Sequence, residues 1–435
     1  MKSLLSAALA LALAAPAAAQ PAAAPLVQHP HAAWTRNASI YEVNVRQFSP
    51  AGNFAGVEAQ LPRLQKLGVK ILWIMPIHPI GVKERKGELG SYYAVRDYKA
   101  VNPEYGSLAD FQRLVRKAHA LGMKVIIDWV ANHSAWDNAW VSQHPDWYKK
   151  DEKGKIISVR FGEAPNYEYW TDVVALDYSK PELRAAMLDA MRFWVRNADI
   201  DGFRCDVAEL VPIDFWVSAR AELEKSKPLF FLAEGDKPFL HQAFDMSYDW
   251  KLLDRFAAIA EGKETAQNLR DYVSTRMAGL PRDAYRMTFT SNHDINSWRF
   301  ADKAEYGPRF PAFAVLAATL PGMPLIYSGQ ESGLDKKLEF FKRDPIAWKS
   351  YANAPLYRTL VRLKAGNPAL RNGDMGAPAE LLDAGNRDIF AFRRQQGGHW
   401  LTVAVNLSDR PVAQKAIPGL AAGRIAPWQW RMASR

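Results

Sequence analysis

Four short segments carry the residues that could do chemistry: Asp-Trp-Val-Ala-Asn-His at 128–133, Gly-Phe-Arg-Cys-Asp at 202–206, Leu-Ala-Glu-Gly at 232–235 and Thr-Ser-Asn-His-Asp at 290–294. They place Asp128, Asn132, His133, Arg204, Asp206, Glu234, His293 and Asp294 at the ends of apolar runs that read as β-strands. Charged residues there are out of place in a packed core but suit the mouth of a (β/α)8 barrel. The carboxylates Asp206, Glu234 and Asp294, with two histidines and an arginine gathered at one mouth, suit the cleavage of an acetal such as a glycosidic bond. Retention of configuration in that reaction needs one carboxylate as nucleophile and one carboxylic acid on the leaving oxygen, about 5–5.5 Å apart. Arg204 and Asp206 are two apart on one strand, so both side chains face the same way.

The elements that must position these residues alternate along the chain. Strands are expected at 39–48, 70–77, 124–130, 201–207, 228–234, 244–250, 285–292 and 323–329, the sixth with the weakest pattern. Helices are expected at 57–67, 108–121, 181–197, 212–225, 264–279, 309–320 and 351–364. Near-continuous apolar strands alternating with helices call for a parallel sheet covered on its faces, and eight repeats call for closure. The fold class is therefore α/β, a TIM barrel over residues 31–366. Residues 134–180, rich in Trp, Tyr, Pro and Asp, are too long for a strand-to-helix connection and should form an inserted lobe over the mouth. Trp136, Trp140, Trp147 and Tyr148 could line a cleft there or pack the lobe on the barrel. After Asn367 short alternating runs predict a small antiparallel β-domain over 367–435, docked on the barrel.

Composition narrows the class. The chain has 435 residues, 49% hydrophobic and 23% charged, as in soluble globular proteins. Its net charge of +10 is spread in pairs rather than runs, which speaks for solvated faces and against nucleic acid as a partner. Residues 1–20 read as a signal peptide: Met1-Lys2, an apolar stretch too short to span a bilayer, and Ala17-Ala18-Ala19 before a cleavage point near Gln20. Residues 21–30 are an Ala/Pro-rich lead-in, and no later stretch reads as a membrane span. The expected location is the periplasm or the medium. Cys205 is the only cysteine, so no intramolecular disulfide can form; it should face away from the site as a small buried side chain.

On these four segments the chain resembles the α-amylase superfamily of retaining glycoside hydrolases. Gly-Ser-Tyr-Tyr-Ala-Val-Arg-Asp-Tyr at 90–98 resembles that family's loop after the second strand, and 324–331 its eighth strand. The resemblance implies a secreted hydrolase of α-1,4-linked glucans or malto-oligosaccharides. It makes Asp206 the nucleophile, Glu234 the acid and base, and Asp294 a third carboxylate that binds sugar hydroxyls. Tyr93 would stack on the sugar, His133 and His293 would bond its hydroxyls, Arg204 would hold Asp206 ionised, and Asp97 would hold sugar or anchor Arg204. Asp128 and Asn132 would support. Glu234 must carry a proton, so its pKa should be raised by desolvation and by Asp206. Glu209 and Leu210 stand where many starch-cleaving relatives carry Lys-His, which leaves room for short malto-oligosaccharides. A transglycosylase, an α-1,6-acting relative and a non-catalytic binding homologue are the alternatives. No cofactor and no metal are expected: Asn132 matches one calcium ligand of the family, but Ala175 falls where its ligating Asp stands and Leu210 replaces its histidine, with Asp172 or Asp177 as possible substitutes.

Overall fold

The computed structural model describes residues 29–162 and 165–435; the expected signal peptide and most of the lead-in lie outside them. Eight strands close a parallel barrel: Ile40–Val43, Ile71–Ile74, Lys124–Trp129, Gly202–Cys205, Phe230–Ala233, Met246–Tyr248, Tyr285–Thr288 and Met323–Tyr327. They are joined edge to edge in chain order, and the first pairs with the eighth. Each expected strand is present, the weak sixth included, though each is shorter than its apolar run. The first expected run ends in a helical turn, Val45–Phe48, because Arg46 and Gln47 turn back to bond loop carbonyls at Gly90, Phe340 and Glu339. One helix, Trp250–Ala260, was not foreseen; Asp249 caps it by accepting the Leu252 amide.

The period of two along the strands divides apolar from chemical positions. Outward residues such as Val125, Ile127, Phe203 and Phe231 pack under the helices in one continuous core. Inward residues such as Ile40, Ile71, Ile126, Phe230, Met246, Met287 and Leu325 fill the barrel as a second apolar cluster. Further along the first, third, fourth and fifth strands the inward layer turns polar, at Glu42, Asp128, Arg204 and Glu234. Cys205, as expected, points outward and is fully buried in the outer core.

Gly202 shows how tightly the fourth strand is fixed. Its φ is +154°, and a Cβ there would lie 1.9 Å from the Phe230 carbonyl oxygen of the fifth strand. Only glycine lets these two strands meet at this point, and the two strands carry Arg204, Asp206 and Glu234.

The insertion after the third strand holds an antiparallel sheet of His133–Ala135, Glu168–Ala175 and Ser158–Phe161, in that spatial order. The C-terminal part holds a four-stranded antiparallel sheet, Glu380–Leu381, Ile389–Gln396, His399–Asn406 and Trp430–Ser434, and a two-stranded ribbon. Phe390, Phe392 and Leu401 join the core under the barrel helices, and Arg394 donates to the Thr319 and Leu320 carbonyls at 3.1 and 3.2 Å. Among the described residues no helix is long and apolar enough to cross a membrane.

Candidate active site

Arg204 is the hub of the mouth. It is fully buried, and its Nη1 donates to Asp128 Oδ1 at 2.9 Å and Asp206 Oδ1 at 3.0 Å. Its Nη2 lies 2.9 Å from Glu234 Oε1, and its Nε donates to the Tyr248 hydroxyl at 3.1 Å. The Trp73 ring faces the guanidinium at 5.0 Å. One arginine thus fixes the Asp128 carboxylate of the third strand, level with it, and those of Asp206 and Glu234, one inward step further along at the ends of the fourth and fifth strands. Asp128 is held further by Trp73 Nε1 and the Tyr93 hydroxyl, both at 3.1 Å. Asp206 Oδ2 is left facing His133 Nε2 at 4.0 Å.

The two histidines differ in charge. Burial lowers the His133 pKa to about 4, so the ring is neutral. Asn132 Nδ2 lies 3.2 Å from His133 Nδ1; as a donor it makes Nδ1 the acceptor and leaves the proton on Nε2, toward Asp206. Burial opposes charge on His293 as well, but Asp294 and Glu42 outweigh it and raise its pKa to about 9. His293 Nδ1 is 2.5 Å from Glu42 Oε1, and its Nε2 is 2.7 Å from the Tyr93 hydroxyl and 3.3 Å from Asp294 Oδ2. The relay runs from the imidazolium through Tyr93 to Asp128, each member donating to the next.

The free site assigns its protons differently from the sequence expectation. Burial and the charge of Glu234 push Asp206 well above the usual carboxylate range, against the pull of Arg204. Burial would raise Glu234 too, but Arg204, the Val207 amide and His293 outweigh it and hold Glu234 below its ordinary value. The expected rise of the Glu234 pKa is therefore absent without substrate, because Glu234 shares the guanidinium with Asp206. Val207 N–H donates to Glu234 Oε2 at 2.7 Å. To do so Val207 adopts φ +37°, ψ +47°, a left-handed conformation that costs a β-branched residue roughly 1–3 kcal/mol.

A cavity of about 560 Å³ opens over these groups, lined by Tyr93, His133, Asp206, Val207, Glu234, His293 and Asp294. Asp97 is not among them: it is exposed and its Oδ1 accepts the Lys99 amide at 2.9 Å, a turn role that keeps it from both sugar and Arg204. Trp140, Trp147 and Tyr148 also lie outside, packed on one another, on Tyr98 or in the core. Trp136 borders a different cleft. The aromatic walls are instead Phe161 and Trp170 from the lobe, and Trp298, Phe340 and Phe341 from the loops after the seventh and eighth strands. Sequence reasoning missed these, and also Glu42, Trp73 and Tyr248. Glu42 alone had a visible signal, a carboxylate inside an apolar run.

Asn132, Ala175 and Leu210 line the cleft beside Trp136, together with Lys149, Lys155 and Asp151. That donor set does not fit a calcium ion, which wants several carboxylate and carbonyl oxygens. Asp177 accepts the Ser179 amide at 3.0 Å, and Asp172 pairs with Lys86 at 3.1 Å. Among the described residues no group of three or more His, Cys, Asp or Glu gathers as a metal site would require.

Known proteins resemble this chain in sequence and fold. The alpha-amylase catalytic-domain family matches residues 33–230. The crystal structure of an alpha-amylase from Lactobacillus plantarum is 33% identical, with TM-score 0.80, over 92% of this chain and 99% of that one. A noncanonic maltogenic alpha-amylase, AmyB from Thermotoga neapolitana, is 30% identical with TM-score 0.77, over 92% and 96%. An alpha-1,4-glucan:maltose-1-phosphate maltosyltransferase from Burkholderia pseudomallei is 32% identical, over 86% of this chain and 35% of its own length. Alpha-amylase MalA from Haloarcula japonica is 28% identical, over 87% of this chain and 56% of its own. The chain thus spans about a third to a half of these longer relatives. With a closed barrel, the four motif segments at its mouth and full-length similarity to solved amylases, this chain belongs to the α-amylase family of enzymes.

Proposed function

We propose that the enzyme hydrolyses α-1,4-glucosidic bonds of malto-oligosaccharides or starch-type glucans with retention, Asp206 being the nucleophile and Glu234 the acid and base. The observation that carries this reading is the single guanidinium that bridges both carboxylates. The two carboxyl groups also lie within hydrogen-bonding reach of each other, closer than an inverting pair, whose members stand about 6.5–9.5 Å apart to hold a water between them. Arg204 engages Asp206 Oδ1, so Oδ2 is the oxygen free to attack C1. As that bond forms, Glu234 gives its proton to the glycosidic oxygen, the C1–O bond breaks and the leaving sugar departs neutral. Glu234 then takes a proton from water, whose oxygen attacks C1 and releases Asp206 as a carboxylate. For this step the proton of the Asp206–Glu234 pair must sit on Glu234 once the sugar is bound. Asp294, a third exposed, and His133 Nε2 are placed to bind hydroxyls of the same ring.

The acceptor is water or a sugar hydroxyl rather than phosphate. The cavity is lined by Asp206, Glu234, Asp294, Glu168 and Asp172, and its one lysine, Lys86, is paired with Asp172. Among the described residues the lining thus offers no unpaired lysine or arginine to hold a phosphate dianion, which favours hydrolysis over the maltose-1-phosphate chemistry named for some relatives. The poor donor set around Asn132 supports activity without calcium, and the apolar, Ala-rich N-terminus supports export with cleavage near Gln20. Proton NMR of maltoheptaose digestion tests the central reading: the α-anomer should form first. Initial β-anomer would overturn the paired roles of Asp206 and Glu234.

A further inference from the structure

Large apolar side chains left open to solvent inside a polar cleft call for an explanation. Trp298 is 53% exposed, although it stands in a cluster whose other members are mostly buried. Its ring lies 5.0 Å from Phe340 and 5.8 Å from Phe341. Phe340 in turn lies nearly parallel to Tyr93, at 13° and 6.4 Å. The three rings, Tyr93, Phe340 and Trp298, form a run that leads outward from the carboxylates along one wall of the cavity.

The backbone that carries Trp298 is pinned while the ring is free. Ile295–Arg299 is a single π-helical turn, a rare conformation found mostly at functional sites. Asn296 clamps it to the segment after the eighth strand, donating to the Lys336 carbonyl at 3.1 Å and accepting the Leu338 amide at 2.9 Å. Lys337 Nζ donates to the Trp298 carbonyl at 3.2 Å. A flat ring held by a fixed backbone loses little freedom when a ligand packs on it.

A second platform stands opposite. Phe161 and Trp170 stack at 16° and 5.3 Å on the lobe, beside His133. The lobe follows the third barrel strand and Trp298 follows the seventh; four strands apart in a ring of eight, they face each other across the mouth.

We propose that Trp298 is a specificity-determining residue that stacks on a glucosyl unit of the donor side, beyond the ring held at Asp206, and so sets where along a chain the enzyme cuts. The Phe161–Trp170 pair serves the acceptor side. This rests on the reading of the site as a retaining glucan hydrolase. Tyr93 and His293 hold the ring under attack, so the aromatic run that continues from Tyr93 follows the part of the substrate retained on the enzyme.

The test is the cleavage pattern of maltoheptaose labelled at its reducing end, for the wild type, Trp298→Ala, Trp298→Phe and Phe161→Ala. Trp298→Ala should move cleavage toward the non-reducing end, giving longer labelled products, and lose roughly tenfold in kcat/KM. Trp298→Phe should restore the wild-type pattern. Phe161→Ala should shift the pattern the other way. On α-glucosyl fluoride, which fills only the ring position at the carboxylates, the loss for Trp298→Ala should shrink below twofold. An unshifted pattern, a shift in the same direction for both alanine variants, or an equal loss on the fluoride would overturn the assignment. Wild-type enzyme that cleaves no glucan would defeat the underlying reading instead, since no pattern would then exist to shift.

Discussion

Both ends of the barrel bury carboxylates, and the two ends treat them in opposite ways. At the N-terminal face Asp201 accepts from His119 at 2.6 Å, Lys124 at 2.8 Å and the Val125 amide at 2.9 Å. Asp245 there meets Arg220 at 3.0 Å, His31 at 2.7 Å and the Phe231 amide at 2.8 Å. Burial would raise both, but these partners outweigh it and hold the two carboxyls below their ordinary values. At the mouth Asp128, Asp206 and Glu234 share one guanidinium, and Glu42 shares one imidazolium with Asp294. There burial wins for Asp128, Asp206 and Glu42, which are pushed up. Asp201 and Asp206 flank one strand, five residues apart. Cationic charge per carboxylate, not depth, marks the difference: Asp201 and Asp245 each have two basic partners, whereas one guanidinium is divided among Asp128, Asp206 and Glu234, of which only Glu234 is held low.

The contrast breaks most visibly at Asp206. Asp206→Asn should bring turnover of maltoheptaose to background while the melting temperature stays equal or rises, since the surroundings of Asp206 already disfavour its charged form. A fall of many degrees would place Asp206 with the scaffold. Glu234→Gln should lose about 10²–10⁴-fold on maltoheptaose, the usual contribution of a general acid, and far less on α-glucosyl fluoride, whose leaving group needs no proton. Equal losses on both substrates would make Glu234 something other than the acid.

At the other end Asp245→Asn should do the reverse. It takes the buried carboxylate from Arg220, leaving only Glu224 and the Ala243 carbonyl as partners, and should cost about 3–5 kcal/mol in urea unfolding. Activity per folded molecule should stay within twofold. Loss of activity without loss of stability would erase the distinction between the two faces.

The smallest effect is in pH. Asp201 and Asp245, held low, contribute stability that is full above about pH 4 and lost as pH falls through their folded values. Asp206, Asp128 and Glu42, held high, work with the opposite sign and cost stability once pH passes about 4. His31, raised by Asp245 after burial is overcome, contributes stability below about pH 6.5 that is lost as pH rises through its folded value. His31→Asn should therefore lower the melting temperature at pH 5.5 more than at pH 9. Equal losses at both values would mean that His31 holds the N-terminal segment without charge.

How much of this was legible from the residues follows from the range of the interactions. Strand periodicity and the motif segments are local, so the barrel and the gathering of Asp128, Arg204, Asp206, Glu234 and Asp294 could be read directly. Asp97 misled because it lies in a motif whose neighbour Tyr93 does reach the site; its own side chain caps a turn. The lobe residues left open between cleft and packing divide: Trp140, Trp147 and Tyr148 pack, because composition reports aromatic content but not which way each ring faces. Phe161, Trp170, Trp298 and Phe340 meet only through loops from opposite sides of the mouth, and no local pattern announces that. The direction of the Glu234 shift depends on Arg204 Nη2 and on the left-handed Val207, which only the folded backbone supplies.

The account stands or falls on which oxygen bonds to the sugar. Reacting the Glu234→Gln variant with 5-fluoro-α-glucosyl fluoride should trap a glycosyl-enzyme, because the leaving fluoride needs no acid and the missing base slows release. Peptide mass spectrometry should then find one glycosyl adduct on the peptide containing Asp206. An adduct on Asp294, or turnover of the fluoride with no adduct at any carboxylate, would contradict the mechanism.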